Sequence, residues 1–103
     1  MFSIVYITAG DMEEARSIGR KLVEARLAAC ANIFPITSVF RWKGKIDESD
    51  EFGIIVKTRT DKVKEIENTV KKIHSYEVPC VVSFKLDEGS KEYFKWIKES
   101  VEE

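Results

Sequence analysis

Val39-Phe40-Arg41-Trp42-Lys43-Gly44-Lys45-Ile46 is the stretch from which the fold can be read. Lys43-Gly44 is a two-residue turn signal, with glycine where a positive φ is needed, and strand-like runs flank it on both sides, over residues 29–42 and Lys45–Arg59. At ~3.3 Å per residue, fourteen residues reach ~46 Å, well beyond the five or six residues usual in a small sheet. The hairpin therefore projects as an arm. A two-residue turn sets Trp42 opposite Lys45 and Phe34 opposite Gly53, so the apolar sets of the two strands miss each other. One extra residue on the returning strand would set Phe34 opposite Ile54 and Ile36 opposite Phe52, and a bulge within residues 46–50 is expected on that ground.

Working outward, Phe2–Ala9 is a short β-branched apolar run, the pattern of a central strand covered on both faces. Gly10-Asp11 breaks it, and Asp11 with Glu14 has capping-box spacing for a helix carrying Ala15, Ile18, Leu22 and Leu27 on one side. Thr60 or Asp61 is expected to cap a second helix with the stripe Val63, Ile66, Val70 and Ile73, ending near His74 ahead of Pro79. Residues 79–86 read as the fourth strand. Ser90 caps a last helix whose buried face is Tyr93, Phe94, Ile97 and Val101. The order βαββαβ plus a terminal helix predicts an α+β fold, the ferredoxin-like split βαβ, as one domain over residues 1–103 with spatial strand order 4-1-3-2.

Composition narrows the function. The 103 residues carry 17 basic and 18 acidic side chains, a net charge of −1, which argues against a nucleic-acid partner because gripping phosphates needs a surplus of Lys and Arg. No run approaches the ~20 apolar residues of a membrane span. Met1-Phe2-Ser3-Ile4 leads straight into the first strand without a leader pattern, and Cys30 and Cys80 lack redox or finger spacing, so a cytosolic location is expected. On the predicted sheet the two thiols open opposite edges ~14 Å apart, too far for a disulfide or a shared metal within the chain. One His, two Cys and no visible pairing of nucleophile with base make an enzyme the least favoured class. His74, where a helix should end, reads first as a residue completing the last turn.

Ala28-Ala29-Cys30-Ala31-Asn32 resembles the CutA family of small divalent-cation tolerance proteins, and the likeness continues along the chain. Phe40-Arg41-Trp42-Lys43-Gly44-Lys45-Ile46 resembles that family's hairpin tip, Lys57-Thr58 its third-strand exit, His74-Ser75-Tyr76-Glu77-Val78-Pro79 its His-Pro-Tyr-x-x-Pro loop, and Tyr93-Phe94-Lys95-Trp96 its terminal helix. The resemblance implies a homotrimer with PII-like architecture and a link to copper and other divalent ions, with no cofactor required and no established reaction. Copper-site positions credited to some bacterial members fall here on Ile7, Ile73 and His74, and Ser75 stands in place of the loop's first Pro. Two readings follow. In the first, a non-enzymatic trimer senses or buffers divalent metal, with His74, Cys30, Asp87 and Glu88 as candidate ligands. In the second, a PII-like binding module holds a small anion in the clefts between subunits through Lys57, Arg59 and Tyr76. In both, Phe40 and Trp42 on the arm are expected at the trimer interface, because a two-stranded ribbon bearing them needs another surface to cover it.

Overall fold

In the computed structural model, which describes residues 1–101, alternation sets the first strand. Along β1 (Phe2–Ala9), Ser3, Val5, Ile7 and Ala9 are buried and the residues between them are half-exposed. Expected coverage on both faces is thus incomplete. The buried face packs against α1 (Met12–Glu24) and α2 (Val63–Ile73), which contribute Ala15, Ile18, Leu22, Ile66 and Val70 to the main core. The opposite face is covered at one end alone, where α3 (Lys91–Ser100) stacks Phe94 on Phe2 at 4.7 Å and buries Ile97.

Local signals place the helix ends. Asp11 Oδ1 accepts the Glu14 N–H at 2.7 Å, and Glu14 Oε1 accepts from the Gly10 N–H at 3.3 Å, a capping box shifted by one residue on its return arm. Arg26, just past α1, takes a φ of 60°, a left-handed position usually given to glycine. Its guanidinium donates to the carbonyls of Glu99 and Ser100, neutralising the acceptor end of α3. Ser90 caps α3 by accepting from the Tyr93 N–H at 3.0 Å. The start of α2 differs from expectation. A 3-10 turn over Thr60–Lys62 precedes it, and neither hydroxyl nor carboxylate caps the helix. Thr60 Oγ1 instead bonds Ser3 Oγ at 2.7 Å, and Asp61 pairs with Arg59 at 2.6 Å.

β2 (Cys30–Trp42), β3 (Lys45–Arg59), β1 and β4 (Val81–Lys85) form one antiparallel sheet in that order, the expected topology. Lys43 and Gly44 have φ of 51° and 80°, the paired positive values of a type I′ turn. From there the ladder runs unbroken from Trp42 opposite Lys45 to Cys30 opposite Lys57, so the expected bulge is absent. The reason lies in Gly53. Phe34 faces it, and a Cβ at 53 would stand 2.8 Å from Phe34 Cζ and 3.3 Å from Tyr6 Cε1. The ring lies over the glycine's empty side, while Ala31 and Ile33, opposite Val56 and Ile54, serve the helical face. The two strands need no common apolar parity because β2 supplies both faces.

Gly53→Ala is accordingly expected to destabilise the fold by roughly 1–2 kcal/mol, since Phe34 must leave its position or the strands must part. Urea unfolding measures it, and a loss below about 0.3 kcal/mol would mean the ring moves freely.

β3 pairs with β1 from Phe52 onward, so residues 45–51 with residues 36–42 form a free two-stranded ribbon. The arm gives the molecule its 44 Å long axis, and on it Val39 and Ile46 are 66% and 68% exposed.

Candidate functional site

Where α2 stops, His74 turns its ring inward. Its N–H still bonds the Val70 carbonyl at 2.9 Å, but its side chain is 0% exposed. Nδ1 accepts the Tyr76 N–H at 3.0 Å, which leaves the ring proton on Nε2, donated to the Thr8 carbonyl at 2.7 Å. Both nitrogens are engaged. Metal coordination by this imidazole would have to displace one of those two bonds.

Ser75, the residue that replaces proline, ties the loop down. Its N–H and Oγ–H donate to the two oxygens of Glu14 at 2.8 and 3.0 Å, bonds that proline could not make. Burial works to raise the pKa of Glu14, but the donors from Ser75 and Gly10, with His74 nearby, outweigh it and hold the carboxyl below its ordinary value. Because the folded value is the lower one, the stability contributed by Glu14 is present above the unfolded carboxylate range of ~4.3 and is lost as pH falls through the folded pKa. Urea midpoints measured from pH 6 to pH 3 should fall less steeply for Glu14→Gln than for the parent. Parallel curves would show that Glu14 does not couple the loop to α1.

Beyond Ser75, Tyr76 crosses to the base of the arm and its hydroxyl donates to the Glu51 carboxylate. Gly10 leaves it room, since a Cβ there would lie 3.3 Å from the phenol oxygen. Burial pushes the Tyr76 pKa upward, and the hydrogen bond and charge of Glu51, with the charges of Glu14 and Asp11, push the same way. The Cys80 thiol is also raised, first by burial and further by Glu51, against a bond to Thr8. Between loop and arm runs a groove of about 740 Å³, walled by Phe40 and Trp42 on one side and Tyr76 and Val78 on the other.

The remaining candidates lie elsewhere. Cys30, half-buried on β2, has its sulfur 3.5 Å from Asn32 Oδ1 and 3.9 Å from the Tyr93 hydroxyl. Lys57 lies opposite it, with its ammonium 5.5 Å from the Tyr93 ring centroid, and Arg59 pairs with Asp61. By register these groups sit at the Phe2 end of β1, whereas Tyr76 and His74 meet the Thr8 end. Lys57, Arg59 and Tyr76 are therefore not brought together within the chain. Asp87 and Glu88 are exposed just after Leu86, whose N–H bonds the Phe2 carbonyl, again at the end away from His74. Both cysteines are free, and among the described residues no three His, Cys, Asp or Glu side chains are grouped to hold a metal ion.

The sequence model of the family described as CutA1 divalent ion tolerance protein matches residues 3–100. The chain belongs to this family. It is 49% identical over 102 residues to the divalent-cation tolerance protein CutA of Archaeoglobus fulgidus, covering 99% of this chain and 100% of that protein. Its identity to the Thermus thermophilus protein of the same description is 43%, over 97% of this chain and 98% of that one. The solved A. fulgidus structure superposes with a TM-score of 0.97 at 49% identity, covering 99% of this chain and 100% of that chain. That structure is described as a periplasmic divalent cation tolerance protein, which overturns the cytosolic expectation. Free thiols and a strand-like start are poor witnesses of compartment, because two cysteines on opposite sheet edges stay unpaired in any redox environment. No helix among the described residues is long and apolar enough to cross a membrane.

Within the CutA1 frame, sequence reading singles out His74 and Tyr76 as candidates and passes over the two carboxylates that bond this loop, Glu14 at Ser75 and Glu51 at Tyr76. Glu14 was visible as a capping residue, with no sign of its second role. Glu51 had a signal: it shares strand parity with Gly53 and Ile55 and abuts an apolar run, an unusual place for a charge.

Proposed function

We propose that this CutA1 family member acts in divalent-cation tolerance as a non-enzymatic homotrimer, copper being one of the ions, and that it binds the ion weakly through groups shared between copies. The observation that carries the reading is the separation of His74 from Cys30, Asp87 and Glu88 at opposite ends of the sheet. A closed site needs three or four ligands converging at about 2.0–2.3 Å, and a single chain brings no such set together among its described residues. A second copy, or exposed carboxylates with water, would complete any coordination sphere. The trimer is supported by apolar surface on the arm and on β4, where Val82 and Phe84 are exposed together with Phe40 and Trp42.

Cu(II) titration by calorimetry, with sedimentation on the same samples, tests the reading. Affinity is expected to be micromolar or weaker and to diminish when the assembly is diluted apart. Nanomolar binding by an isolated chain would refute it.

A further inference from the structure

The outward side of α1 and the free edge of β2 frame a second groove of about 760 Å³, apart from the arm aromatics and β4 that the proposed trimer covers. Pro35 divides that edge. A two-residue turn makes Trp42 and Lys45 a pair that exchanges both backbone bonds, so the even-numbered residues of β2 bond β3 and the odd-numbered ones turn N–H and C=O outward. Pro35 is odd and brings no N–H, which interrupts the edge between residues 37–41 of the ribbon and Ala31 with Ile33 beside α1. We propose that the short edge at Ala31 and Ile33 is a docking site for an extended peptide of another protein, carrying acidic side chains at alternate positions and added to the four-stranded sheet as a further strand.

Two independent features point to that occupant. The first is the backbone. Ala31 and Ile33 are half-buried in the groove lining, yet their outward N–H and C=O groups have no strand beside them within the chain, and an added strand supplies the missing partners. The second is charge. Arg16 and Arg20 line the groove one helical turn apart. Arg16 has no ion-pair partner among the described residues, and Arg20 meets Glu24 at 3.7 Å with both side chains mostly exposed. So loose a surface pair contributes little, which leaves both guanidinium groups available to incoming carboxylates.

Spacing joins the two features. Ala31 and Ile33 pack toward the helical core, and residues paired opposite them in an added strand turn their side chains to the same face, toward α1. Alternate residues of a strand lie about 6–7 Å apart, and four residues of helix, the step from Arg16 to Arg20, span about 6 Å. The two repeats match. Gly19 allows the close approach of α1 to β2, since a Cβ there would already stand 3.1 Å from that of Ala31. Val23, the one large apolar side chain of α1 or α2 that is exposed, offers an apolar contact to the next alternate residue. Glu13 and Glu24 stand one turn beyond the arginines, so the positive stretch is two residues long and a longer acidic run is repelled at both ends.

The test is anisotropy of a dye-labelled peptide, Val-Thr-Glu-Thr-Glu-Thr-Val, titrated with the full chain at physiological salt. Its symmetric pattern suits either strand direction, and a saturable rise is expected. Methylating the two Glu amide nitrogens, which face β2 in the added strand, should raise the midpoint at least about tenfold, because two backbone hydrogen bonds are lost. Arg16→Gln with Arg20→Gln, at exposed positions outside the buried clusters, should raise it roughly fivefold for the unmethylated peptide. The proposal is overturned by a response that never saturates, by a midpoint indifferent to methylation, or by a peptide with Lys in place of Glu binding equally well. Sedimentation of the same samples is expected to show an association state changed neither by the peptide nor by the arginine substitutions. If the substitutions alter that state and the peptide does not bind, the edge is an interface between copies and the proposal is equally overturned.

Discussion

A Phe40→Ser, Trp42→Ser double variant is expected to sediment as a monomer at micromolar concentration, where the parent sediments as the proposed trimer. The two aromatics are 39% and 41% exposed in the isolated chain, on a ribbon that β1 does not reach. Burying an aromatic side chain is worth roughly 1.5–3 kcal/mol, and in a threefold assembly each loss recurs at every contact, so association should weaken by at least about a thousandfold. The subunit should hardly notice. Neither residue belongs to the buried clusters, and surface substitutions of this kind usually change stability by no more than about 0.5 kcal/mol. Analytical ultracentrifugation paired with circular dichroism separates the two effects. A parent chain that is itself monomeric at micromolar concentration would remove the trimer from the functional reading.

His74→Ala is expected to act in the opposite sense, costing fold stability of about 3 kcal/mol while leaving the arm untouched. The ring is 0% exposed and joins three elements through the Thr8 carbonyl, the Tyr76 N–H and the nearby Glu14. Truncation leaves two polar backbone groups without partners and a cavity of ring size, each worth about 1–3 kcal/mol. His74→Asn, able to replace one bond, should recover part of the loss. Urea unfolding gives the total, and hydrogen exchange at the Tyr76 amide gives the local share, since that proton loses its acceptor. A loss below about 1 kcal/mol with Tyr76 still protected would mean that Glu14 and Ser75 hold the loop by themselves.

Several elements of this protein follow from spacing within a few residues, because the groups that form them are neighbours along the chain. Asp11 reaches the amide three residues on, Ser90 does the same for Tyr93, and Lys43-Gly44 turns the hairpin with paired positive φ. The βαββαβ order and the sheet topology follow from these and from apolar periodicity. Where the partner lay far along the chain, local reading failed. The expected bulge assumed that Phe34 needs an apolar residue opposite, whereas a glycine serves when the ring itself fills the space across the strand. Spacing offers Thr60 or Asp61 as the cap of the second helix, but the Thr60 hydroxyl bonds Ser3, 57 residues away, and Asp61 pairs with Arg59. The site depends on the same kind of contact. Ser75 and Tyr76 sit side by side in sequence, yet one is held by Glu14 and the other by Glu51, 61 and 25 residues distant. A buried polar group takes whichever partner the fold brings within about 3 Å, and no spacing rule along the chain encodes that choice.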